Sequence, residues 1–570
     1  MSSSGTLRIR LLWGFILLMA IFYITRLYIV QIVNGQTYRE RAEHQYLSPA
    51  NNAFDRGSIY FSNKDGSLIS VASLKTGFTL AVNPKLIVGP EQDFELLHPL
   101  ITTLDKNDFI AKTQTASSSY QEIENRIAED TAQQITNLKL KGVTLTREKW
   151  RYNPAGSLAS QVIGFVGNNG SALTGQYGLE RYYDDVLSRT GPGQLYSNFF
   201  ADIFSNIEST QEKGTLEGDI VSSIEPNVQI ELEEILRQIT DQYKSDKTGG
   251  VIIDPKTGEI YAMGTNPSFD PNFYNLEKNP AVFSNPLVES VFEMGSIIKP
   301  LTMAAGIDSG TVTPSTTYDD KGFLILNTAR IANYDGKGRG IVDMQTVLNQ
   351  SLNTGAAFVA LKMGNDLFSK YMLNYGLGEE TGIDLPNEIP GLVNNLSSAR
   401  DIEHATAAFG QGIALTPIAT VRALSSLANG GFLITPQVVK TINYDIGGFK
   451  NISPDPGTRI LKQATSEEIT RMLVAVYDNA LLNGKVKMKD YSIAAKTGTA
   501  QIADPVTKGY FKDRYLHSFF GYFPAYNPKF LIFLYTYNPK EVQYASETLT
   551  MPFVTLTRFL INYYNIPPDR

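Results

Sequence analysis

Three short motifs in the second half of the chain carry groups able to do chemistry: Ser296-Ile297-Ile298-Lys299, Ser351-Leu352-Asn353 and Lys496-Thr497-Gly498. A serine hydroxyl is a weak nucleophile until a neighbouring base takes its proton, and a lysine three residues on can be that base. On a helix, residues i and i+3 share a face, so the Lys299 amine can reach the Ser296 hydroxyl. Proline is tolerated in the first turn of a helix and disruptive deeper in, so Pro300 locates a start near Ser296. The expectation is Ser296 at a helix N-terminus, where unpaired N–H groups and the dipole favour the negative charge that develops on an attacked carbonyl. To act as a base Lys299 must be neutral. Bringing its pKa from about 10.4 to near neutrality corresponds to about 4 kcal/mol, which burial and a neighbouring cation can supply. Lys496 is the candidate cation.

Each motif taken singly is weak, because two or three fixed residues recur by chance in 570. Lys-Thr-Gly occurs four times, at Lys75, Lys247, Lys256 and Lys496. The copy at Lys256 reads as a hairpin turn, the one at Lys247 as the end of a polar helix, and the one at Lys75 lies outside the catalytic region. Ser-x-x-Lys and Ser-x-Asn each occur once, and only Lys496 follows them within a strand-like segment. Order and uniqueness together carry the assignment.

The elements that must position these groups have their own signals. The segment Ile220–Tyr243 reads as a strand entering a long amphipathic helix, with Val228, Leu232, Ile235, Leu236 and Ile239 on one buried face. GGVIIDPKTGEIYAM, from Gly249, reads as a β-hairpin. YSIAAKTGTAQI, HSFFGYFP and KFLIFLYTY, in the C-terminal third, read as strands. Strands at both ends with helical sequence between them predict one α/β domain whose sheet joins distant segments. Before it, residues 34 to about 215 mix strand-like GFTLAV and VIGFV with a polar helical segment spanning Ser117–Leu140.

Composition bounds the rest. Hydrophobic residues make up 42% and charged residues 19%, ordinary for two to four folded domains. A net charge of −7 argues against a nucleic-acid partner, which needs a basic face. The chain has no cysteine, which excludes disulfides, thiolate metal sites and a cysteine nucleophile. Its four histidines are scattered with no HExxH, so zinc chemistry is not expected and no metal or cofactor is assigned. The run Leu11–Val33 is long enough to span a bilayer, and Arg8 and Arg10 before it keep the N-terminus in the cytoplasm. A cleaved signal peptide is the competing reading, but no small-x-small cleavage site follows the run. Arg26 is expected near the outer interface, with its stem snorkelling.

Beyond the triplets, the chain resembles a class B penicillin-binding protein, a monofunctional peptidoglycan D,D-transpeptidase. The resemblance lies in FDRGSIYFSNKDGSLIS (Arg56, Gly57, Asp65, Gly66), PAGSLASQVIGFVG, GQYGLERYYDDVL, GLGEETGIDLPNE, and FGQGIALTPIA around Gly410-Gln411-Gly412. It departs from many relatives at Met294-Gly295-Ser296, where they have Pro-Gly-Ser, and at Ser62-Asn63-Lys64-Asp65-Gly66, where an Asp-Arg-Asn-Gly stretch is common. The resemblance implies a transpeptidase domain of the serine β-lactamase/D,D-peptidase type, an antiparallel sheet with helices, over residues 216–570. A cytoplasmic tail (1–10), a transmembrane anchor (11–33) and an α+β pedestal or dimerisation-type domain (34–215) precede it, and the catalytic part is extracytoplasmic.

By the same resemblance, Ser296 attacks the penultimate D-Ala carbonyl of a stem peptide, Lys299 is the base, Ser351 relays a proton to the leaving amine, and Asn353 holds the substrate amide and Lys299. Lys496 supplies positive potential, Thr497 and Thr499 bind the substrate carboxylate, Gly498 completes the motif, and the N–H groups of Ser296 and Thr499 form the oxyanion hole. The partners implied are peptidoglycan stem peptides, β-lactams, the membrane, a separate glycosyltransferase and division or elongation proteins, with a leaning towards division. A bifunctional enzyme with glycosyltransferase activity would need acidic polymerase motifs near the N-terminus, and Glu129-Asp130 lacks their following residues. A β-lactamase would need a water-positioning Glu-x-x-Leu-Asn after Ser351, which is missing, and a silent scaffold would explain the large N-terminal region without using the reacting residues.

Overall fold

The computed structural model describes Met19 and residues 55–115, 117–169, 172–189, 217–446, 448–507 and 509–570. The expected tail and, Met19 apart, the expected anchor at 11–33 lie outside the described residues. Among the described residues no helix is long and apolar enough to cross a membrane. Two compact units form: the smaller contains Lys75–Trp150, and the larger contains Arg56–Leu74, Arg151–Arg189 and the described residues from 217 to 570.

In the larger unit, helix α1 (Pro226–Tyr243) starts with proline in its first turn and a Glu225 carboxylate that accepts from Val228 N–H, and it ends at Lys244 in the left-handed region. Strands β1 (Lys247–Ile253) and β2 (Ile260–Asn266) follow as an antiparallel hairpin. Helices α2 (Lys299–Asp308) and α3 (Asn353–Met363) come next, then β3 (Ala494–Asp504), β4 (Gly509–Phe523), β5 (Phe530–Tyr537) and helix α4 (Thr550–Tyr563). The five strands form one sheet in the order β2-β1-β5-β4-β3, antiparallel throughout.

The central strand β5 is an unbroken apolar run because both of its faces are covered. Ile532 and Leu534 join Phe519, Ile252 and the Leu232–Ile239 stripe of α1, with Phe553 and Leu556 of α4, in one core. Leu531, Phe533 and Tyr535 point the other way, with Phe520, Val251 and Leu301 of α2, into a second. The period-2 alternation of strand side chains thus divides one apolar sequence between two layers of helices. Strand β3, which carries Lys496-Thr497-Gly498, lies at the sheet edge.

Three local readings are corrected. Lys247 does not end a helix: α1 has stopped by Lys244, and Lys247-Thr248-Gly249 opens β1, paired with Tyr537 of β5. Within Ser117–Leu140, Gln121–Ile127 is a strand, and only Glu129–Asn137 is helical. Its buried isoleucines, Ile123 and Ile127, are four residues apart, a spacing that fits a helix turn and an even strand offset equally. Pairing with residues 78–82 of the long strand Leu68–Val82 decides for the strand. Of VIGFV, Val162 and Ile163 close a helical turn, Ser160–Ile163, and only Val166 opens a strand. Gly164, at φ +78°, makes the break, and a Cβ there would stand 1.8 Å from Tyr177 O.

The smaller unit packs helices Pro90–Leu97, Lys106–Thr113 and Glu129–Asn137 around Leu80, Val82, Phe94, Phe109 and Ile135.

Arg56 and the GQYGLERYYDDVL segment meet in the larger unit. The buried Arg56 guanidinium donates to Glu180 Oε2 (2.6 Å), Glu180 O (2.6 Å) and Asp184 Oδ1 (2.7 Å), and Arg151 Nε donates to Glu180 Oε1 (2.6 Å). Glu180 is fully buried between two guanidinium groups, so Glu180→Gln takes from the buried Arg151 its ion-pair carboxylate and from Arg56 one of two, Asp184 being the other, while barely changing shape. The expected loss is about 3–5 kcal/mol, read in chemical denaturation of the larger unit.

Candidate active site

Ser296 does not begin an α-helix. Gly295–Ile298 is a 3₁₀ turn, and α2 begins at Lys299 with Pro300 in its first turn. Side chains at i and i+3 eclipse in a 3₁₀ turn, so Ser296 and Lys299 still share one side. Close backbone approaches fix the turn. Gly295 (φ +63°) donates its N–H to Gly410 O at 3.0 Å, and Ser518 Oγ on β4 donates to Met294 O at 2.8 Å. Gly498 lies where β3 meets the turn: a Cβ there would stand 2.3 Å from Ser518 Oγ and 2.7 Å from Met294 O. Gly498→Ala must therefore push β3 off the nucleophile turn. A displacement near 1 Å costs about 100-fold in reactivity, and that loss is expected in the second-order rate of acylation by penicillin.

Two buried lysines converge on Ser351. Lys299 Nζ donates to Ser351 O, to Ser351 Oγ (3.2 Å) and to Asn353 Oδ1 (2.8 Å). Lys496 Nζ donates to Ser351 Oγ and to Thr497 O, both at 3.0 Å. Neither lysine has an ion-pair carboxylate among the described residues. Burial, and then the charge of Lys496, hold the Lys299 pKa well below its ordinary value, and burial pushes Lys496 down to about 7. A neutral Lys299 keeps two N–H donors, enough for Ser351 O and Asn353 Oδ1, and frees a lone pair for a hydroxyl proton.

Ser351 itself sits at φ +53°, a conformation that strains a serine by about 1–3 kcal/mol and is typical of functional positions. Asn353 at the start of α3 is tethered by its Nδ2, which donates to Ala332 O at 2.8 Å. The segment holding Ala332 is pinned in turn: Asp320 accepts from Asn333 Nδ2 (3.0 Å) and Thr354 Oγ1 (2.8 Å).

Ser296, Ser351, Asn353, Lys496, Thr497 and Thr499 all line one cleft of about 890 Å3. Gly498 lies behind it, against the turn. Lys496 and Arg330 are the cations of the lining, which among the described residues contains no aspartate, glutamate or histidine. Such a cleft attracts a carboxylate. The Thr499 hydroxyl accepts from Ala545 N–H at 3.1 Å. The other Lys-Thr-Gly copies do not reach it: Lys75 is in the smaller unit, Lys247 in β1, and Lys256 in the turn between β1 and β2. His517 is bonded to Thr548 Oγ1 and Gln543 O, and burial pushes its pKa down to about 4. His404 bonds to Arg400 O, so neither histidine partners a cleft serine. Among the described residues no cluster could hold a metal ion.

Sequence reasoning missed Glu293, Tyr510, Tyr544 and the Asp320–Asn333–Thr354 clamp. Only Glu293, next to Met294-Gly295-Ser296, had a positional signal. Glu293 Oε1 accepts from Gly412 N–H (2.9 Å) and from Tyr510 OH (3.0 Å).

Residues 248–555 match the penicillin binding protein transpeptidase domain, and residues 52–197 match the penicillin-binding protein dimerisation domain. Stage V sporulation protein D of Bacillus subtilis (strain 168) is 30% identical over 568 residues, covering 97% of this chain and 85% of that protein. The peptidoglycan D,D-transpeptidase FtsI of Escherichia coli (strain K12) is 27% identical over 452 residues, 77% of this chain and 72% of the other. Among solved structures, penicillin binding protein 3 of Mycobacterium tuberculosis, complexed with aztreonam, superposes with a TM-score of 0.68 at 22% identity, covering 91% of this chain and 98% of that one. That last likeness is one of fold.

Proposed function

Since this chain belongs to the penicillin-binding proteins with a transpeptidase domain, we propose that Ser296 is the nucleophile with which it opens stem peptides at their terminal D-Ala-D-Ala bond. The protein is a peptidoglycan D,D-transpeptidase, a serine acyltransferase. The observation that carries the residue roles is the meeting of two buried, carboxylate-free lysines at Ser351, beside Ser296 in one cleft.

The steps follow from that chemistry. Lys496 and the Thr497 and Thr499 hydroxyls hold the stem's terminal carboxylate. Neutral Lys299 takes the Ser296 proton as Oγ attacks the penultimate D-Ala carbonyl, and the N–H groups of Ser296 and Thr499 stabilise the oxyanion. Ser351, which accepts from both lysines, directs its own hydrogen to the leaving amine, and D-Ala departs. The amine of a second stem then attacks the ester, forms the cross-link and frees Ser296. A β-lactam takes the place of the donor stem and leaves a long-lived acyl-enzyme; that a solved structure of the same fold is complexed with aztreonam supports the binding of such a drug.

In the same proposal, residues 1–10 are cytoplasmic, 11–33 cross the membrane, 34–215 form a pedestal and 216–570 act outside the cell membrane. A separate glycosyltransferase supplies the glycan strands, within a division or elongation assembly. The test is transfer: cells depleted of the protein and complemented with it should incorporate a labelled D-amino acid into peptidoglycan, and Ser296→Ala should not restore that incorporation. Equal incorporation by both would make the protein a scaffold.

A further inference from the structure

Resolving the acyl-enzyme raises a proton-balance problem. The acceptor amine arrives as R–NH3+, because an ordinary alkyl amine has a pKa near 10.4. Attack needs R–NH2. As the new C–N bond forms and the Ser296 Oγ–C bond breaks, the amine passes one further proton to Oγ through Lys299 and Ser351, and keeps its last one as the amide N–H. The Ser296–Lys299–Ser351 set therefore handles one proton, and the first proton of the ammonium needs another acceptor. No aspartate, glutamate or histidine stands in the described lining of the cleft; Arg330 stays charged, and Lys496, although burial pushes it down to about 7, keeps its proton while a carboxylate is bound beside it.

One carboxylate stands directly behind the cleft wall. Tyr510, which lines the cleft and is 40% exposed, donates its hydroxyl hydrogen to Glu293 Oε1 at 3.0 Å. Gly412 N–H donates to the same oxygen and the Gln411 side chain approaches the carboxylate, while Glu293 Oε2 is buried and has no partner in good hydrogen-bond geometry. A buried unpaired carboxylate oxygen calls for a reason, and readiness to take up a proton is one. We propose that Glu293, acting through the Tyr510 hydroxyl, accepts the first proton of the incoming acceptor ammonium during resolution of the acyl-enzyme. The Tyr510 oxygen takes the proton from R–NH3+ as its own passes to Glu293, giving R–NH2 and a neutral Glu293, which later returns the proton to solvent. Burial raises the Glu293 pKa, which strengthens it as a base. The groups facing it are Tyr510 from β4 and the neutral Gln411 and Gly412, with no cation among them.

This inference rests on the transpeptidase reading, and the test separates the two. The full chain is given a D-alanyl thioester donor with D-alanine as acceptor, and the ratio of amide to acid product is measured beside the rate of acylation by penicillin. At pH 7, Glu293→Gln and Tyr510→Phe are each expected to lower that ratio about 10- to 100-fold more than they lower acylation. In both variants the ratio should recover as pH approaches the amine's pKa and free amine arrives from solvent. A ratio within about 2-fold of the unsubstituted protein, a fall that does not recover with pH, or an equal loss of acylation would each overturn the relay. If the unsubstituted protein is not acylated by penicillin at all, the transpeptidase reading itself fails.

Discussion

Ser296→Ala is expected to abolish covalent labelling by a fluorescent penicillin. The ester of the acyl-enzyme needs an oxygen in the cleft within reach of a neutral base. Among the described residues the hydroxyl bonded to both lysines is that of Ser351, held at φ +53° as an acceptor from both and so not free to attack. Removing Ser296 Oγ breaks none of the bonds of Lys299, which run to Ser351 and Asn353, so the site keeps its shape and still binds the drug reversibly. The expected loss of turnover is on the order of 10⁶-fold, as when the nucleophile of a comparable serine enzyme is removed. Gel fluorescence after brief exposure to the labelled penicillin reads the outcome, and a band that persists in Ser296→Ala would move the nucleophile elsewhere. Ser351→Ala should slow labelling without abolishing it, because it removes a proton relay and leaves the attacking atom in place.

What could be read from the chain follows from the range of the interaction concerned. Ser296 and Lys299 are three residues apart, and that spacing places them on one side in an α-helix and a 3₁₀ turn alike. The pairing was therefore legible, although the helix start was misplaced: Pro300 marks the first turn of α2, one turn after Ser296. The buried stripe of α1 and the apolar run of β5 were legible because each repeats with the period of its own element. Ile123 and Ile127 failed because their spacing fits both periods, and a partner strand some forty residues earlier in the chain decides between them. Tyr510 and Glu293 are 217 residues apart, and no local pattern joins them. The same holds for Asp320 and Thr354, which meet because the Thr317–Asp320 strand and α3 pack together. The short motifs that meet at one cleft were visible, whereas the residues that hold those motifs from a distance were not.

Lys299→Gln is expected to lower acylation by about 10³- to 10⁴-fold, the upper range for loss of a general base. Glutamine still offers N–H donors to Ser351 O and Asn353 Oδ1, so the loss reports the base and not a collapsed site. The pH dependence carries a sign that tests the electrostatics. Lys299 acts only when neutral, so acylation rises with pH as the amine loses its proton, and the position of that limb follows the folded-state pKa. Burial and the charge of Lys496 hold that pKa down. Lys496→Gln removes the like charge, which raises the Lys299 pKa and moves the limb to higher pH, whereas Lys496→Arg keeps the charge and leaves the limb near its place. The limb belongs to the coupled pair of lysines, so it is the direction of the shift that decides. Stability carries the same sign. Between about 7, to which Lys496 is pushed, and the ordinary 10.5, the unfolded chain binds more protons than the native one. Stability should therefore rise with pH across that window and rise less steeply in Lys496→Gln, which denaturant unfolding at several pH values would measure. A limb that stays in place in Lys496→Gln would mean that burial alone tunes Lys299, and that Lys496 serves the substrate carboxylate only.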